Sequence, residues 1–241
     1  MMLNRRLKSF AERALPRFVL ARLDPVQDLI RAEVARVAGA LGEGQTVLDA
    51  GAGEARHREY FERGRYIALD SGGGDSSWDY SRLDIRGDLE SIPLQSNTVD
   101  YVLCMVVLEH TRDPRRVLGE FARVLKPGGT LAMVVPFLWE EHQGPQDYFR
   151  FTSHGIRWLF EATEFRLTLE EPIGGFFWVC ARRSVNLLSF FQGGWRWIVF
   201  AALAPLCGLL LPLLLHSLDG LDREKHFSLG FRIRAEKKSS D

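Results

Sequence analysis

Between residues 46 and 135 the chain alternates short apolar segments with amphipathic ones, and this alternation restricts the fold more than any other feature. Strands that alternate with helices of about ten residues are typical of a parallel sheet covered on both faces. We therefore expect an α/β fold, a doubly wound, mostly parallel Rossmann-like sheet. The predicted strands are 46–50, 66–69, 99–107 and 130–135, and the predicted helices are 25–40, 54–63 and 114–125.

Charge and cysteine content exclude several classes of protein. The chain has 241 residues, with 31 Lys and Arg against 31 Asp and Glu, so no net charge favours a nucleic-acid partner. Its three cysteines are far apart and form no CxxC pair, which indicates neither a disulfide framework nor a structural zinc site. A reducing cytosol is the expected compartment, and the length suits one domain with an appendage.

The segment 47–54, VLDAGAGE, is the most informative for function. A strand here runs into a glycine turn, and glycines let a ligand approach the backbone closely. The GxGxxG pattern of dinucleotide sites is absent, because its sixth position is Arg56. Asp70 follows at the end of the second strand, where a carboxylate can accept both hydroxyls of a ribose. With Asp88 as a third carboxylate at the same edge, the pattern favours a nucleoside over a nucleotide.

These motifs, with GDLESIPLQSNTVDYVLCMVVLEH from residue 87 and LKPGGTLAMVVP from residue 125, resemble class I S-adenosylmethionine (SAM)-dependent methyltransferases. The resemblance covers about residues 45–180 and is strongest to the type 11 group that includes quinone C-methyltransferases. It implies SAM as cofactor and a seven-stranded sheet with an antiparallel last strand. Ala55 stands where many members carry a third glycine. The implied cofactor-binding residues are Asp49, Gly51 and Gly53 at the methionine end, Asp70 at the ribose, Asp88 and Leu89 at the adenine, and Cys104 near the sulfonium.

Two polar segments could serve the methyl acceptor. One is Glu109-His110-Thr111, and the other is the loop 136–152, which resembles the H-x-x-P-x-D-Y-x-R-[FY]-T signature of a subgroup associated in part with cell-surface glycan and lipid pathways. We predict His142 as the acceptor base, with His110 and Asp147 as further catalytic residues. The alternative is an internal network in which Asp147 pairs with Arg150 and Thr152 caps a helix at 153–162. No metal-ligand spacing is present, so no metal is predicted.

Residues 198–215 are 18 uncharged, almost wholly apolar residues, near the lower limit for a transmembrane helix. Predicted strands at 165–171 and 227–235 would both belong to the sheet, so the insert between them must leave and re-enter one membrane face. Pro205 and Pro212 favour a helical hairpin broken at the prolines. A true span, a dimer interface and a hydrophobic substrate lid are the alternatives.

The first 23 residues carry six Lys or Arg against one acid and show helical apolar spacing, which predicts a basic amphipathic helix, either packed on the domain or touching anionic lipid. The predicted organisation is 1–40 N-terminal helices, 41–180 SAM-binding core, 181–222 apolar membrane-associated insert, and 223–241 last strand and basic tail.

Together these features predict a SAM-dependent methyltransferase at the cytoplasmic face of the membrane, peripheral or monotopic. Its expected partners are the lipid surface and a lipid-linked or cell-surface glycan that it O-methylates, with no nucleic acid. The alternatives are C-methylation of a quinone-like lipid, a nicotinamide-dependent oxidoreductase, and a non-catalytic membrane-bound scaffold with a relic SAM pocket.

Overall fold

The computed structural model describes residues 15–239, without the side chains of residues 17 and 18. Its centre is a seven-stranded sheet of order β3-β2-β1-β4-β5-β7-β6. The strands are β1 Thr46–Ala50, β2 Arg65–Asp70, β3 Ile85–Arg86, β4 Val99–Met105, β5 Leu125–Pro136, β6 Phe165–Pro172 and β7 Gly230–Lys237.

The sheet is mixed in the way the resemblance implies. The pairs β1–β2, β1–β4, β2–β3 and β4–β5 are parallel, whereas β7 runs antiparallel to β5, with Met133 opposite Ile233. The strand order reverses at β1, so the loops after β1 and β4 meet at one edge, where open α/β sheets bind ligands. The predicted fold class is confirmed.

Seven α-helices accompany the strands in the described residues. They are α1 Arg17–Leu23, α2 Pro25–Ala40, α3 Pro114–Val124, α4 Ser153–Glu161, α5 Phe176–Leu187, α6 Arg196–Pro205 and α7 Leu211–Leu218. The Thr152 side chain accepts a hydrogen bond from the Gly155 N–H at the start of α4, which confirms the predicted cap. The predicted N-terminal helix lies largely in residues 1–14, outside the described residues.

The core lies between the sheet and the helices α3 and α4. Phe121 of α3 is fully buried, as are Leu48 of β1 and Val102 of β4 in the same apolar cluster. Burying a side chain of this size stabilises the fold by about 1.5–3 kcal/mol. This core fixes the strand ends from which the site loops emerge.

The helix predicted at 54–63 is wrong. A short 3₁₀ turn, Arg56–Tyr60, takes its place. Ala55 has a φ of 52°, a left-handed conformation that an α-helix of L-residues does not accommodate, so no helix can run through it. The strand predicted at 99–107 likewise ends at Met105, because Val106 has a φ of 60°.

The break predicted at the prolines of the insert is also wrong. Residues 196–221 form one continuous helical run that is long and apolar enough, by length and composition, to cross a membrane. Pro205 is the last residue of α6 and Pro212 lies in the first turn of α7, so each proline removes its own N–H from the helical bonding but neither interrupts the run. Between them, Leu206–Leu210 widen into a π-turn that absorbs the irregularity.

The partner of this long helix is α5. The indole of Trp178 stacks on the imidazole of His216 with 4.6 Å between ring centres, and the Ser184 hydroxyl donates to the Cys207 carbonyl at 3.1 Å. The chain divides into two compact units, one formed by residues 1–29 with 172–229 and the other by residues 30–171 with 230–241.

Candidate active site

The glycine turn follows β1 and has the conformation that its glycines allow. Gly51 and Gly53 have φ angles of 85° and 53°, which L-residues rarely adopt. The N–H groups of Gly51 and Ala52 donate to the Leu69 carbonyl at 2.8 and 3.0 Å, so the turn is fixed to the end of β2. A methyl group added at Gly51 would lie 2.4 Å from the Val107 side chain. The turn therefore directly adjoins the segment that follows β4.

Asp70 lies at the end of β2, beside this turn. Its carboxylate accepts hydrogen bonds from the Gly53 N–H at 2.9 Å and from the Gly72 N–H at 2.7 Å. Each carboxylate oxygen retains a further lone pair, and the residue is half-buried, so it can accept ligand hydroxyls while it holds the turn. This arrangement fits the nucleoside end of SAM.

Asp49 is engaged by protein groups. Its side chain is 1% exposed, and its carboxylate contacts the imidazole of His57 at 2.9 Å and accepts a hydrogen bond from the Tyr66 hydroxyl. Burial lowers the pKa of His57, but the Asp49 carboxylate outweighs it and leaves that pKa raised. Burial, with the same carboxylate, raises the pKa of Tyr66. The predicted contact of Asp49 with the methionine end of SAM stays a prediction.

The other predicted cofactor residues, Asp88, Leu89 and Cys104, differ in their exposure to solvent. Asp88 is exposed and its carboxylate accepts the Glu90 N–H at 2.9 Å, while the Leu89 side chain beside it is buried. Cys104 of β4 is fully buried in the apolar cluster, and burial, reinforced by Glu109 and Asp49, raises the pKa of its thiol. The cofactor contacts of these three residues stay predictions.

Asp147 organises the polar loop. Arg150 donates to both of its carboxylate oxygens, at 2.6 and 2.7 Å, and the His142 N–H donates to it at 2.8 Å. Burial raises the pKa of Asp147, but these donors outweigh it and hold that pKa at about 2. The internal network expected as the alternative is thus present, and it positions His142.

His142 and His110, 32 residues apart in sequence, meet at 4.7 Å between ring centres. Glu109 lies with them, with one carboxylate oxygen 3.4 Å from His142 Nε2 and 3.8 Å from His110 Nε2. Glu109 is fully buried, and the side chains of His110 and His142 are 15% and 6% exposed. Burial alone would lower the pKa of His142. The carboxylates of Glu109 and Asp147 raise that pKa by more than burial lowers it, so the pKa of His142 lies above its usual value. The fold therefore assembles all three predicted catalytic residues, whose roles stay predictions.

Sequence reasoning named Glu109 only as a neighbour of His110, and it overlooked His57 and Tyr66 entirely. A signal for Glu109 existed in its position directly after an apolar strand, at the ligand-binding edge. The partners of Asp49 carried no such signal. His57 lies in a segment expected to be helical, and Tyr66 reads as an ordinary strand residue.

A glycine turn fixed to β2, a half-buried Asp70 beside it and a polar cluster after β4 lie together at one edge of a doubly wound sheet. Residues 48–133 match the family described as a methyltransferase domain. This region therefore matches the class I SAM-dependent methyltransferases of the type 11 group, as the sequence predicts, and SAM is the cofactor of that class.

Curated proteins similar to part of this chain are also methyltransferases by name. A probable SAM-dependent methyltransferase of Mycolicibacterium smegmatis is 35% identical over 99 residues, which cover 39% of this chain and 38% of that protein. A malonyl-[acyl-carrier protein] O-methyltransferase of Pectobacterium atrosepticum is 28% identical over 130 residues, which cover 47% of this chain and 51% of that protein. The chain thus spans at most about half the length of these two relatives.

Solved structures confirm the fold. A putative methyltransferase of Haloferax volcanii, solved with its Trm112 activator, has a TM-score of 0.54 at 22% identity and covers 92% of this chain and 95% of its own. The [4+2]-cyclase SpnF also has a TM-score of 0.54, at 20% identity, and covers 90% of this chain and 82% of its own. Because a cyclase shares the fold, the site has to carry the argument about the reaction.

Proposed function

We propose that this protein is a SAM-dependent methyltransferase that works at a membrane surface and O-methylates a hydroxyl of a lipid-linked or cell-surface glycan. The observation that carries the proposal is the direct contact between the two halves of the site. Gly51 of the glycine turn packs on Val107, and the next three residues, Leu108–His110, form the turn that holds Glu109 and His110. A donor held by the glycine turn would therefore lie next to the polar cluster.

The reaction is an in-line displacement. The acceptor oxygen forms a bond to the methyl carbon, the sulfur–carbon bond breaks with its electron pair going to sulfur, and the hydroxyl proton leaves to a base. Most of the acceleration comes from holding donor and acceptor in line. A base adds a typical factor of about 10²–10⁴ for a hydroxyl acceptor. The Nε2 atoms of His110 and His142, for which the described residues supply no hydrogen-bond partner, are the available proton acceptors.

The loop around the cluster supports a sugar hydroxyl over an activated carbon. It combines carboxylates and imidazoles with two exposed aromatic side chains, Tyr148 and Phe149, which are 41% and 37% exposed. Aromatic faces next to hydrogen-bonding groups suit a sugar ring, since one stacks and the others bind hydroxyls. The malonyl-carrier relative is itself an O-methyltransferase by name, which supports oxygen as the acceptor atom.

Membrane action is supported by the helical run 196–221. Its exposed apolar side chains include Trp195 just before it, at 74%, and Ile198, at 75%. Single exposed apolar residues are ordinary, but a contiguous set on one helix is typical of a lipid or protein contact. The remaining members of this set are Trp197, Leu206, Leu210, Leu214 and Leu221.

Charge supports an in-plane arrangement at the cytoplasmic leaflet. From residue 172 to residue 218 the sequence contains no acid, and its three cations are Arg182, Arg183 and Arg196. Anionic lipid attracts such a segment by about 1 kcal/mol for each cation near the surface. Because β6 and β7 both belong to the sheet, the intervening chain has to return to the side from which it left.

The test is transfer of label from methyl-labelled SAM to a cell extract that is afterwards split into lipid and aqueous fractions. Asp70→Ala protein serves as the blank, and acid hydrolysis of the labelled lipid distinguishes a methylated sugar from a methylated quinone ring.

A labelled sugar released from lipid supports the proposal. A labelled ring establishes the C-methyl alternative, and label confined to soluble molecules contradicts the lipid-linked acceptor. Absence of label combined with NAD binding would establish the oxidoreductase, and SAM binding without transfer the scaffold.

A further inference from the structure

Three potential metal ligands converge in the polar cluster. Single ligand atoms of Glu109, His110 and His142 all lie within 4.8 Å of one another. The sequence gives no hint of this convergence, because two of the three residues follow β4 and the third lies 32 positions later in the loop after β5. The fold alone brings them together.

Each imidazole directs a lone pair into this cluster. His110 Nδ1 lies 2.5 Å from the Gln146 carbonyl oxygen, and His142 Nδ1 lies 3.2 Å from the Glu140 carbonyl oxygen. A carbonyl only accepts, so both Nδ1 atoms carry the proton and donate it. In the neutral rings both Nε2 atoms are then unprotonated. Metal-binding histidines show this same pattern, with the second ring nitrogen donating to a backbone carbonyl or a carboxylate.

Glu109 gives a second and independent indication. It is fully buried, and neither carboxylate oxygen has a hydrogen-bond partner within residues 15–239. A buried carboxylate without donors is strongly disfavoured unless a cation compensates it. The nearest guanidinium of the loop, that of Arg150, is directed at both oxygens of Asp147 instead. With both rings neutral, the cluster therefore combines a negative charge and two lone pairs around one point, and a metal ion would take the place of any proton between His142 Nε2 and the Glu109 oxygen 3.4 Å away.

We propose that Glu109, His110 and His142 bind a divalent transition-metal ion, with Zn²⁺ as the best match. Two imidazoles and one glutamate form a ligand set known from catalytic zinc sites, which keep a fourth position open. Ligands about 2.0–2.1 Å from a tetrahedral ion stand about 3.3 Å apart. The observed separations of 3.4 and 3.8 Å from the Glu109 oxygen are close to this value, and the two imidazole nitrogens, which lie within 4.8 Å of each other, would move together by up to about 1.5 Å on binding.

Such an ion would change the role of His142. A lone pair that ligates a metal cannot also accept the proton of the acceptor, so the two roles exclude each other. An ion with an open position would instead bind the acceptor hydroxyl and lower its pKa, so that the hydroxyl proton would leave to solvent, as it does from zinc-bound water. This consequence rests on the proposed function, whereas metal binding itself does not.

Metal binding can be measured without any methyl acceptor. Metal-stripped full-length protein is titrated with Zn²⁺ against a chromophoric chelator, and with Co²⁺ while the visible spectrum is recorded. We expect one Zn²⁺ per chain and an intense Co²⁺ band typical of four-coordination. Glu109→Gln and His110→Gln should each weaken Zn²⁺ binding by at least about 100-fold. His154→Gln, which removes an exposed histidine of the same unit, should leave binding unchanged.

Wild-type protein that binds no Zn²⁺ and gives no Co²⁺ band overturns the proposal without reliance on a variant that fails to fold. So does binding that Glu109→Gln and His110→Gln leave unaltered. The two proposals fail separately. Zinc binding without methyl transfer contradicts only the proposed function, and full transfer by chelator-treated, metal-free enzyme contradicts only the metal's role in catalysis.

Discussion

Asp70 holds the glycine turn and is predicted to bind the cofactor as well. Its carboxylate holds Gly53 and Gly72 through their N–H groups, and it stands where ribose hydroxyls are expected. Replacement by alanine removes hydrogen bonds to a charged group, each worth about 1.5–3 kcal/mol. We expect Asp70→Ala to weaken SAM binding at least about tenfold in calorimetric titration. The exposed Glu62→Gln exchange should leave the affinity unchanged. Equal affinities for Asp70→Ala and wild type would remove Asp70 from the cofactor site.

The pair of His57 and Asp49 should make stability depend on pH. The raised pKa of His57 means that folding favours the imidazolium. This contribution is fully present below the unfolded pKa of about 6.5 and is lost as pH rises through the folded pKa. His57→Gln should therefore cost most near pH 5.5, and the cost should shrink by pH 9, as measured by urea denaturation. Tyr66→Phe, which removes an uncharged donor to the same carboxylate, should cost about the same at both values. A His57→Gln cost that grows with pH would contradict the pairing.

Single residues also mark how far the sequence could predict the site. Asp70 and the glycine turn were predictable because they lie directly at strand ends, where position along the chain fixes position at the sheet edge. The contact of His142 with Glu109 was not predictable in detail. It depends on Arg150 and Asp147 folding the loop back, and a sequence lists these charges without their geometry.

Among the elements, α5 begins in an uncommon way. Its first N–H groups are capped by carboxylates from beyond α7, since Asp219 accepts from Gly175 and Trp178 at 3.0 and 3.2 Å and Asp222 accepts from Phe176 at 2.7 Å. Lys225 neutralises Asp219 at 2.5 Å. Residues 172–218 contain no acid, and the first acids after them, Asp219 and Asp222, follow directly after α7. Their hydrogen bonds connect the end of α7 to the start of α5.

This cap is testable. Asp219 is buried, so Asp219→Asn would leave Lys225 without its counter-ion and weaken two helix-capping bonds. We expect a loss of about 1–3 kcal/mol in unfolding free energy and faster protease cleavage within residues 172–229. Glu224→Gln, a change of an exposed carboxylate nearby, should have almost no effect. Unchanged stability in Asp219→Asn would show that the cap contributes nothing.

Helix boundaries were less predictable from the sequence than strand positions. The helix predicted at 54–63 and the break predicted within 198–215 are both wrong, and each error has a local cause. Apolar spacing suggested a helix at 54–63, but Ala55 takes the left-handed conformation of a turn residue. Two prolines suggested a break in 198–215, but one lies at the end of a helix and the other in a first turn. Proline disrupts a helix through its position within it, which composition does not specify.

For the whole molecule, the order of the strands restricts how the long apolar helix can contact a membrane. The run 196–221 is long enough for a span, but the chain has to return to β7 within the next eight residues. A span would place β7 and β6 on opposite sides of the bilayer unless α5 also crossed it. With Arg182 and Arg183 in its middle, α5 is a poor candidate for crossing, because each arginine at the bilayer centre costs about 2.5–3.5 kcal/mol. In-plane association satisfies both constraints.

In-plane association makes a specific prediction for vesicle flotation. Full-length protein should float with vesicles of mixed anionic lipid, float less at high salt, and float least with neutral vesicles, because arginine attraction to the surface is screened by salt. Ile198→Glu combined with Leu214→Glu should reduce flotation about tenfold or more, since both side chains are exposed on the apolar helix. Trp158→Glu, which removes an exposed apolar side chain from the methyltransferase unit, is the matched control and should float like wild type. Flotation of the double variant equal to wild type would exclude the helix as the lipid contact. Wild type that resists both salt and carbonate on every vesicle would contradict charge-driven association and indicate insertion into the apolar layer.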